Sequence, residues 1–572
     1  MISDARSVPN GAVLNTDICI IGAGAAGITL ALQYVDSAHR VILLESGGLR
    51  PSRETHELYQ GRVIREDLHA PPDRYRVRCF GGSTRIWGGR CVPFDPIDFE
   101  KRPWIAESGW PISYDDVAQY YPEATRICEA GEGEYDAARA IAGGMRPLVA
   151  GFASEHFSLD GIERFSCPTD FGQRYREILT RSANVDVLLN ANCREIIPTS
   201  DCSRVDRLDV ALLSGSTFTI VPKLVVIAVG GIETPRLLLA SCRHNAAGIG
   251  NARDLVGRHY MCHMAGTVGK LRFATLRENV VHGYDRTGGG VYLRRRLALR
   301  PGVQRQQEIG NFVARLHHPR IPDPSHRTGP LSAIYLAKHL ISYEYGKRLT
   351  GSNSGDWLET LQHAKNVARS PFATLEFLLH WLGQHTLAKR KFPSLIVHPE
   401  TNVFSIEFNS EQSPLFESRV SLSPERDALG MQRVSIDWRY SDHDIHTISR
   451  ALDLMRRDFA ASGLAELDYG EEELGEAITR DGALGGHHIG TARMAANPQQ
   501  GVVDRDCRVF GMENLFVAGS AVFPTSSQAN PTLTIVALTL RLARHLRHVL
   551  DQPPMEAAVR PRAELPSTPV GA

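Results

Sequence analysis

Residues 17–45 constrain the fold of this chain more tightly than any other stretch. Residues 17–22 (Asp-Ile-Cys-Ile-Ile-Gly) are a short apolar run, the pattern of a buried parallel strand. Gly22, Gly24 and Gly27 follow in GxGxxG spacing, ahead of a small-residue helix predicted to reach about Tyr34. Residues 41–45 (Val-Ile-Leu-Leu-Glu) make a second buried strand, so strand, helix and strand form a βαβ unit. In such a unit Gly22 permits the tight turn, Gly24 lets backbone approach a pyrophosphate, and Gly27 packs helix against strand. The helix N-terminus, with Ala25 and Ala26 in its first turn, turns free N–H groups toward the phosphates. Glu45 ends the second strand, where a carboxylate accepts hydrogen bonds from ribose hydroxyls and repels a 2′-phosphate, which disfavours NADP.

At 572 residues the chain exceeds one ordinary domain, so two large domains, or one with big insertions, are expected. The 64 basic and 64 acidic side chains cancel, which argues against a nucleic-acid partner or a polybasic membrane surface. Ten scattered cysteines show no CxxC pair and no zinc spacing, so no metal is expected. Cys262 and His263 are adjacent, which suits a turn or strand more than a chelate. The first residues lack a basic region ahead of an apolar core, and no stretch reaches the length of a spanning helix. A cytoplasmic protein without a membrane span is the expectation.

The dinucleotide fold reads as discontinuous. Residues 183–229 return to β character, with strands at 185–189, 205–213, 217–221 and 224–229, then helix at 233–240. A late strand at 513–519 has the texture of the first, and a helix at 532–550 closes the chain. An NAD domain is normally complete in about 150 continuous residues, so these distant returns favour a longer ligand, FAD. Between them, 111–130 reads as one helix, 266–480 holds alternating strands such as 403–408 and 419–422, and 331–390 reads as an amphipathic basic helical stretch. That stretch is expected to be a solvated face, with an oligomer or membrane contact as the alternative. The tail beyond about Asp551 reads as disordered.

Two further blocks stand out. Residues 78–91 (Arg-Cys-Phe-Gly-Gly-Ser-Thr-Arg-Ile-Trp-Gly-Gly-Arg-Cys) form a glycine-rich loop able to wrap a flat or phosphorylated ligand. Residues 485–494 (Gly-Gly-His-His-Ile-Gly-Thr-Ala-Arg-Met) and the later Ala-Asn-Pro-Thr-Leu-Thr carry a histidine pair and an asparagine. With the N-terminal βαβ unit and the Gly-Gly-Ile-Glu-Thr-Pro-Arg segment at 230–236, the chain resembles the glucose–methanol–choline (GMC) family of FAD-dependent alcohol oxidoreductases. Within it the likeness runs to the bacterial branch of pyranose- and fructose-oxidising enzymes.

The resemblance implies an α/β fold (α+β overall). A Rossmann-like FAD-binding domain would be built from 1–95, 170–265 and 481–552, and an antiparallel-sheet substrate-binding domain with helices from 96–169 and 266–480, followed by a flexible tail, 553–572. It places the catalytic histidine four residues before Thr491, at His487, and its partner at Asn530, with His488 a structural or tuning neighbour. FAD contacts are implied at Ser46, Gly82, Ser83, Trp87, Gly88, Cys193, Ala228, Gly230, Gly519, Ser520, Asn530, Pro531 and Thr532, besides the glycine turn and Glu45. Some members tether FAD through a histidine just before the loop tryptophan; here that residue is Ile86, so the FAD is expected to be non-covalent. Gly88 stands where oxygen-using relatives place a threonine, which leaves oxidase and dehydrogenase behaviour both open.

An imidazole suits removal of a hydroxyl proton while hydride leaves carbon. The expected reaction converts a secondary hydroxyl of a sugar or glycoside to a ketone, with O2 or a quinone-like acceptor. Residues 411–419, with Gln412 and Glu417, are candidate substrate contacts together with His488, although a surface turn with an internal salt bridge fits that segment equally. The alternatives are the same chemistry on a non-sugar alcohol, a GMC-like lyase with structural FAD, or the catalytic subunit of a membrane dehydrogenase.

Overall fold

The computed structural model describes residues 1–338, 357–470 and 483–551, with 472, 474, 475 and 477 between. It is a discontinuous α/β region joined to a separate antiparallel sheet with helices. The elements used below are β1 (Ile2–Asp4), β2 (Val13–Ile21), α1 (Ala25–Leu32), β3 (Val41–Glu45), β4 (Val185–Leu189), β5 (Asn192–Pro198), β6 (Val205–Ala211), β7 (Thr217–Ile227) and α2 (Gly230–Ala240). They continue with β8 (Met261–Phe273), β9 (Phe312–His317), α3 (Gly329–Leu336), α4 (Trp357–Arg369), α5 (Pro371–His380), β10 (Val403–Ser410), α6 (Asp442–Ser462), β11 (Ala465–Asp468), β12 (Ala483–Ile489), β13 (Leu515–Val517) and α7 (Thr532–Asp551).

The first sheet runs β1-β4-β3-β2-β7-β6-β5, with β13 also on β7. Its β1, β4, β3, β2, β7 and β13 are mutually parallel, and β6 and β5 turn back antiparallel. The parallel strands read as continuous apolar runs because both faces are buried; β3 is buried along its whole length. One core gathers this sheet with α1 and α7.

The expected pair of strands at 217–221 and 224–229 is a single strand, β7. It passes through Pro222, which has no N–H to donate. The strand forks there: pairing with β6 ends at Ile220 and pairing with β13 begins at Val225. Pro222 therefore sits where one edge of β7 has no ladder to break. The expected helix at 111–130 is instead two short helices, Asp115–Ala118 and Tyr121–Ile127. Pro122 lies in the first turn of the second, where a missing N–H costs nothing, so it restarts the helix rather than extending one.

The second sheet runs β11-β8-β10-β9, continues through Leu297–Leu299 and Phe157–Ser158, and adds β12 on β8. All its pairings are antiparallel. Along β10, Phe404, Ile406 and Phe408 enter a second core with α6. The alternate positions Ser405, Glu407 and Asn409 point to the other face, the period of two expected of a strand. The 331–390 stretch is largely helical where described, as α3, α4, α5 and the turn after it, but the exposed face of α5 is apolar rather than polar. Residues 339–356 and the tail beyond Asp551 lie outside the described residues. Among the described residues no helix is long and apolar enough to cross a membrane.

Candidate active site

Gly22 leaves β2 at φ +103°, and a Cβ there would lie 2.7 Å from the Ala228 carbonyl oxygen. A Cβ on Gly27 would lie 1.8 Å from the Gly22 carbonyl oxygen, so α1 packs on the turn only because residue 27 has no side chain. Gly27 is thus a packing position, while Gly22, Gly24, Ala25 and Ala26 line a cavity of about 1030 Å³. No side chain caps α1, which leaves its N-terminal N–H groups to a ligand. The glycine-rich loop closes over this turn: Gly81 N–H donates to the Ala23 carbonyl at 2.9 Å, and a Cβ on Gly82 would meet Gly24 Cα at 3.0 Å.

Glu45 is buried at the end of β3, where its two oxygens accept the N–H groups of Gly47 at 2.8 Å and Ala23 at 3.1 Å. Burial pushes its carboxyl up and these two N–H groups oppose the push. A carboxylate has about four lone-pair sites, so two remain for ribose hydroxyls. Ser46, Gly82, Ser83, Trp87, Gly88 and Cys193 line the same cavity, as do Ala228, Gly230, Gly519, Ser520, Pro531 and Thr532. Trp87 is anchored by its indole N–H, which donates to the Thr169 carbonyl at 2.9 Å.

Sequence reasoning missed an arginine cluster in this wall. Arg76, Arg78 and Arg236 converge on Glu233 at 3.0, 2.9 and 3.1 Å. Burial raises the Glu233 carboxyl, but Arg236, Arg78 and Arg76 outweigh it and bring it down to about 2. Arg78 also donates to Ser46 Oγ at 2.8 Å. The signal was visible as alternate arginines in 74–78, ahead of the glycine loop.

The catalytic candidates come from two distant segments. β12 pairs antiparallel with β8, Met261 with Ile489 and His263 with Leu484. Two residue steps on β8 thus oppose five on β12, and the surplus bulges at Gly486, which has φ +66°. That bulge carries His487 to the cavity. Asn530, two residues before α7, sets its Nδ2 3.0 Å from His487 Nε2. On the other side of the ring, His487 Nδ1 lies 2.7 Å from His263 Nδ1. His263 is fully buried and places Nε2 3.0 Å from the Ser526 carbonyl.

These contacts determine where the protons lie. A carbonyl only accepts, so His263 Nε2 carries the hydrogen. Burial brings His263 down to about 4, against the raising effect of the Ser526 carbonyl, so near neutral pH its Nδ1 is a bare lone pair. His487 Nδ1 must then donate to it. Burial, with His263 and Arg90, holds His487 well below the usual histidine range, so its own Nε2 is also a lone pair. Asn530 Nδ2–H donates to it. The result is a neutral base in a defined tautomer, beside an N–H donor.

The loop supplying Ser526 is held from several directions. Ser526 Oγ accepts the Gln412 N–H at 2.8 Å, and Ser527 Oγ donates to Asp98 at 2.6 Å. Gln412, expected to touch substrate, does not line the cavity. Its Oε1 accepts the Cys262 N–H at 2.7 Å and the Trp438 indole N–H at 3.0 Å, and its Nε2 donates to the Arg439 carbonyl at 2.6 Å. Its amide oxygen and nitrogen are both engaged in holding β8 and this loop together. Glu417 is exposed and away from the cavity. His488 does line it, packed near His69 and Tyr260, with its own carbonyl bound by Ser520 Oγ at 2.7 Å.

The part of the cavity walled by the second sheet carries polar groups beside Ala265, Gly266 and Phe408. Thr267 of β8 and Glu407 and Asn409 of β10 line it, with Tyr284, whose hydroxyl is buried without a partner among the described residues. Burial raises the Glu407 carboxyl, yet Arg294, at 2.9 Å, with His317, Arg90 and Arg315, carries it well below the usual carboxylate range. Among the described residues no group of three or more His, Cys, Asp or Glu could hold a metal ion.

Comparison with known proteins agrees with this architecture. Residues 414–539 match the family model described as GMC oxidoreductase. A 2-methyl-1,2-propanediol dehydrogenase from Mycolicibacterium austroafricanum is 24% identical, over 94% of this chain and 97% of that protein. These matches make the chain similar to the GMC oxidoreductases. A C-glycoside 3-oxidase from Microbacterium trichothecenolyticum is 36% identical over 126 residues, 21% of this chain and 22% of that one. The solved structure of a fungal aryl-alcohol oxidase shares the fold with a TM-score of 0.53 at 13% identity, covering 94% of this chain and 99% of that one.

That likeness implies an FAD-binding domain and FAD-linked oxidation of a CH–OH group. The residues of the site fit that cofactor. Cβ atoms on Gly24, Gly230 and Gly519 would meet nothing within 4 Å, leaving a backbone-lined cradle. Arg78 Nε is buried without a partner among the described residues, beside Ser46 and the end of β3.

Proposed function

We propose that this protein is a GMC oxidoreductase that oxidises a secondary hydroxyl of a sugar or glycoside to a ketone, with His487 as base and Asn530 as the donor that holds the hydroxyl oxygen. The observation that carries this reading is the neutral His487, its Nε2 lone pair at the cavity 3.0 Å from Asn530 Nδ2. An alcohol entering between them donates its hydroxyl hydrogen to His487 Nε2 and accepts the Asn530 N–H. As His487 takes the proton, alkoxide character on oxygen makes the carbon a better hydride donor. FAD, when bound, supplies the two-electron acceptor. The glycine turn, Glu45, Ser46, Gly82, Ser83, Trp87, Gly88, Cys193, Ala228, Gly230, Gly519, Ser520, Asn530, Pro531 and Thr532 are the residues proposed to hold it. Ile86, before Trp87, has no nucleophile, so the cofactor is held without a covalent bond.

Polyhydroxylated substrates are favoured by the Thr267, Tyr284, Glu407 and Asn409 lining, since each buried hydroxyl must find a partner. The local likeness to a C-glycoside 3-oxidase points the same way. A small diol is the second reading, favoured by the full-length likeness to a 2-methyl-1,2-propanediol dehydrogenase.

The test is an anaerobic screen of flavin bleaching against monosaccharides, O- and C-glycosides and small diols, followed by reoxidation with O2 or a benzoquinone. Bleaching by a glycoside is expected. Bleaching by diols alone shifts the assignment to the second reading, and product without bleaching identifies a lyase.

A further inference from the structure

Helix α5 and the turn after it, Trp381–Leu387, have two apolar faces. One face, with Phe377, Leu378, Trp381 and His385, lines the same cavity as His487. The other presents Phe372, Leu375, Leu379 and Leu382 to solvent, at spacings of three and four residues. Phe372 is 85% exposed and Leu387, at the end of the turn, 73%. Thr374 is the one buried residue of α5. A run of large apolar side chains this exposed marks an interaction surface. Leu378 belongs to both faces, lining the cavity while 51% exposed, so the cavity opens at this helix.

Charge selects the occupant. Over residues 357–391 five cations, Lys365, Arg369, Lys389, Arg390 and Lys391, stand against Glu359 and Glu376, in a chain whose 64 basic and 64 acidic residues otherwise cancel. Lys365, Arg369, Lys389 and Lys391 are exposed. A second copy docked by two-fold symmetry would set this cationic patch against itself, at a cost in like-charge repulsion. An anionic lipid leaflet meets both properties: acyl chains take the leucines and Phe372, and headgroups take the lysines.

We propose that α5 and the Trp381–Leu387 turn dock on an anionic lipid surface, so that the mouth of the active-site cavity opens at the leaflet. The contact is interfacial and needs no spanning helix. An apolar electron acceptor dissolved in the leaflet then reaches the cavity along Phe377 and Trp381.

The test is sedimentation of the full-length, FAD-loaded protein with phosphatidylcholine vesicles, with and without phosphatidylglycerol. Binding to the anionic vesicles is expected, weakening as salt rises. A Leu375→Ser/Leu379→Ser/Leu382→Ser variant should bind roughly tenfold or more weakly while keeping its flavin content and melting temperature. Lys365→Glu/Lys389→Glu should weaken binding to the anionic vesicles only. The proposal is overturned if neither vesicle binds the protein, or if the serine variant binds as well as the parent. It is also overturned if light scattering shows a dimer that the serine substitutions convert to monomer, which assigns the face to a second copy.

Discussion

The Nδ1 atoms of His263 and His487 lie 2.7 Å apart, and His263 spends its other ring nitrogen on the Ser526 carbonyl. Two Nδ1 atoms at this distance share one hydrogen, and the carbonyl decides which ring owns it. A backbone oxygen in the 520–530 loop therefore sets the tautomer of a base on β12, through a histidine on β8. His263 acts as a positioning residue.

Replacing His263 separates that role from simple packing. His263→Leu leaves His487 Nδ1 without an acceptor and frees the ring to invert, so substrate-driven flavin reduction should slow by about tenfold to a hundredfold. His263→Gln can accept from His487 and donate to Ser526, and should recover most of the rate. Anaerobic stopped-flow absorbance reads both, and substrate affinity should change little.

Asn530→Asp turns the donor beside His487 into an anionic acceptor. The carboxylate favours the imidazolium form and raises the His487 pKa, occupying the lone pair that must take the substrate proton. Reduction should be slow near neutral pH and climb as pH rises. The parent enzyme, whose His487 is held well below the usual range by burial, should show a flat rate through the pH range in which an ordinary histidine titrates. Reduction rate against pH for both proteins checks this.

Buried His263 also makes stability pH-dependent. Folded, it binds a proton only near pH 4; unfolded, it does so near the ordinary histidine value of about 6.5. Between these the unfolded chain carries more protons, so stability falls as pH falls from 6.5 toward 4, by about 3 kcal/mol from this residue. His263→Leu should lose that part of the slope in denaturant melts at stepped pH.

Glu411 and Arg102 form a fully buried pair, Arg102 Nη1 donating at 2.7 Å, that joins the segment after Pro96–Phe99 to the end of β10. Glu411→Gln leaves the guanidinium uncompensated and should cost about 3–5 kcal/mol, read by chemical denaturation. Glu411 also accepts the Asn311 N–H at 3.0 Å, so local disorder at the start of β9 should accompany the loss.

The dinucleotide half of the molecule was legible because its demands are local. Gly27 is forced by the Gly22 carbonyl within the same turn, Gly22 by its own left-handed φ as well as by Ala228, and β3 is apolar throughout because it is buried along its length. The failures came where distant chain decides. Pro222 looks like a strand breaker until β7 is seen to change partners beside it. Gln412 reads as a polar group available to ligand, but Cys262, Trp438 and Arg439 consume it. Glu407 and Asn409 were legible in principle, as the polar alternate positions of an apolar strand. His263 was not: it lies 224 residues from the base it orients, and its neighbour Cys262 offered no hint of that pairing.

The central claim is that His487 takes the substrate proton. The direct measurement is anaerobic, single-turnover flavin reduction in His487→Ala, using the best substrate from the bleaching screen and protein shown to retain FAD. The account predicts a rate at least about 10²-fold below the parent with substrate binding retained. Bleaching at the parent rate contradicts it.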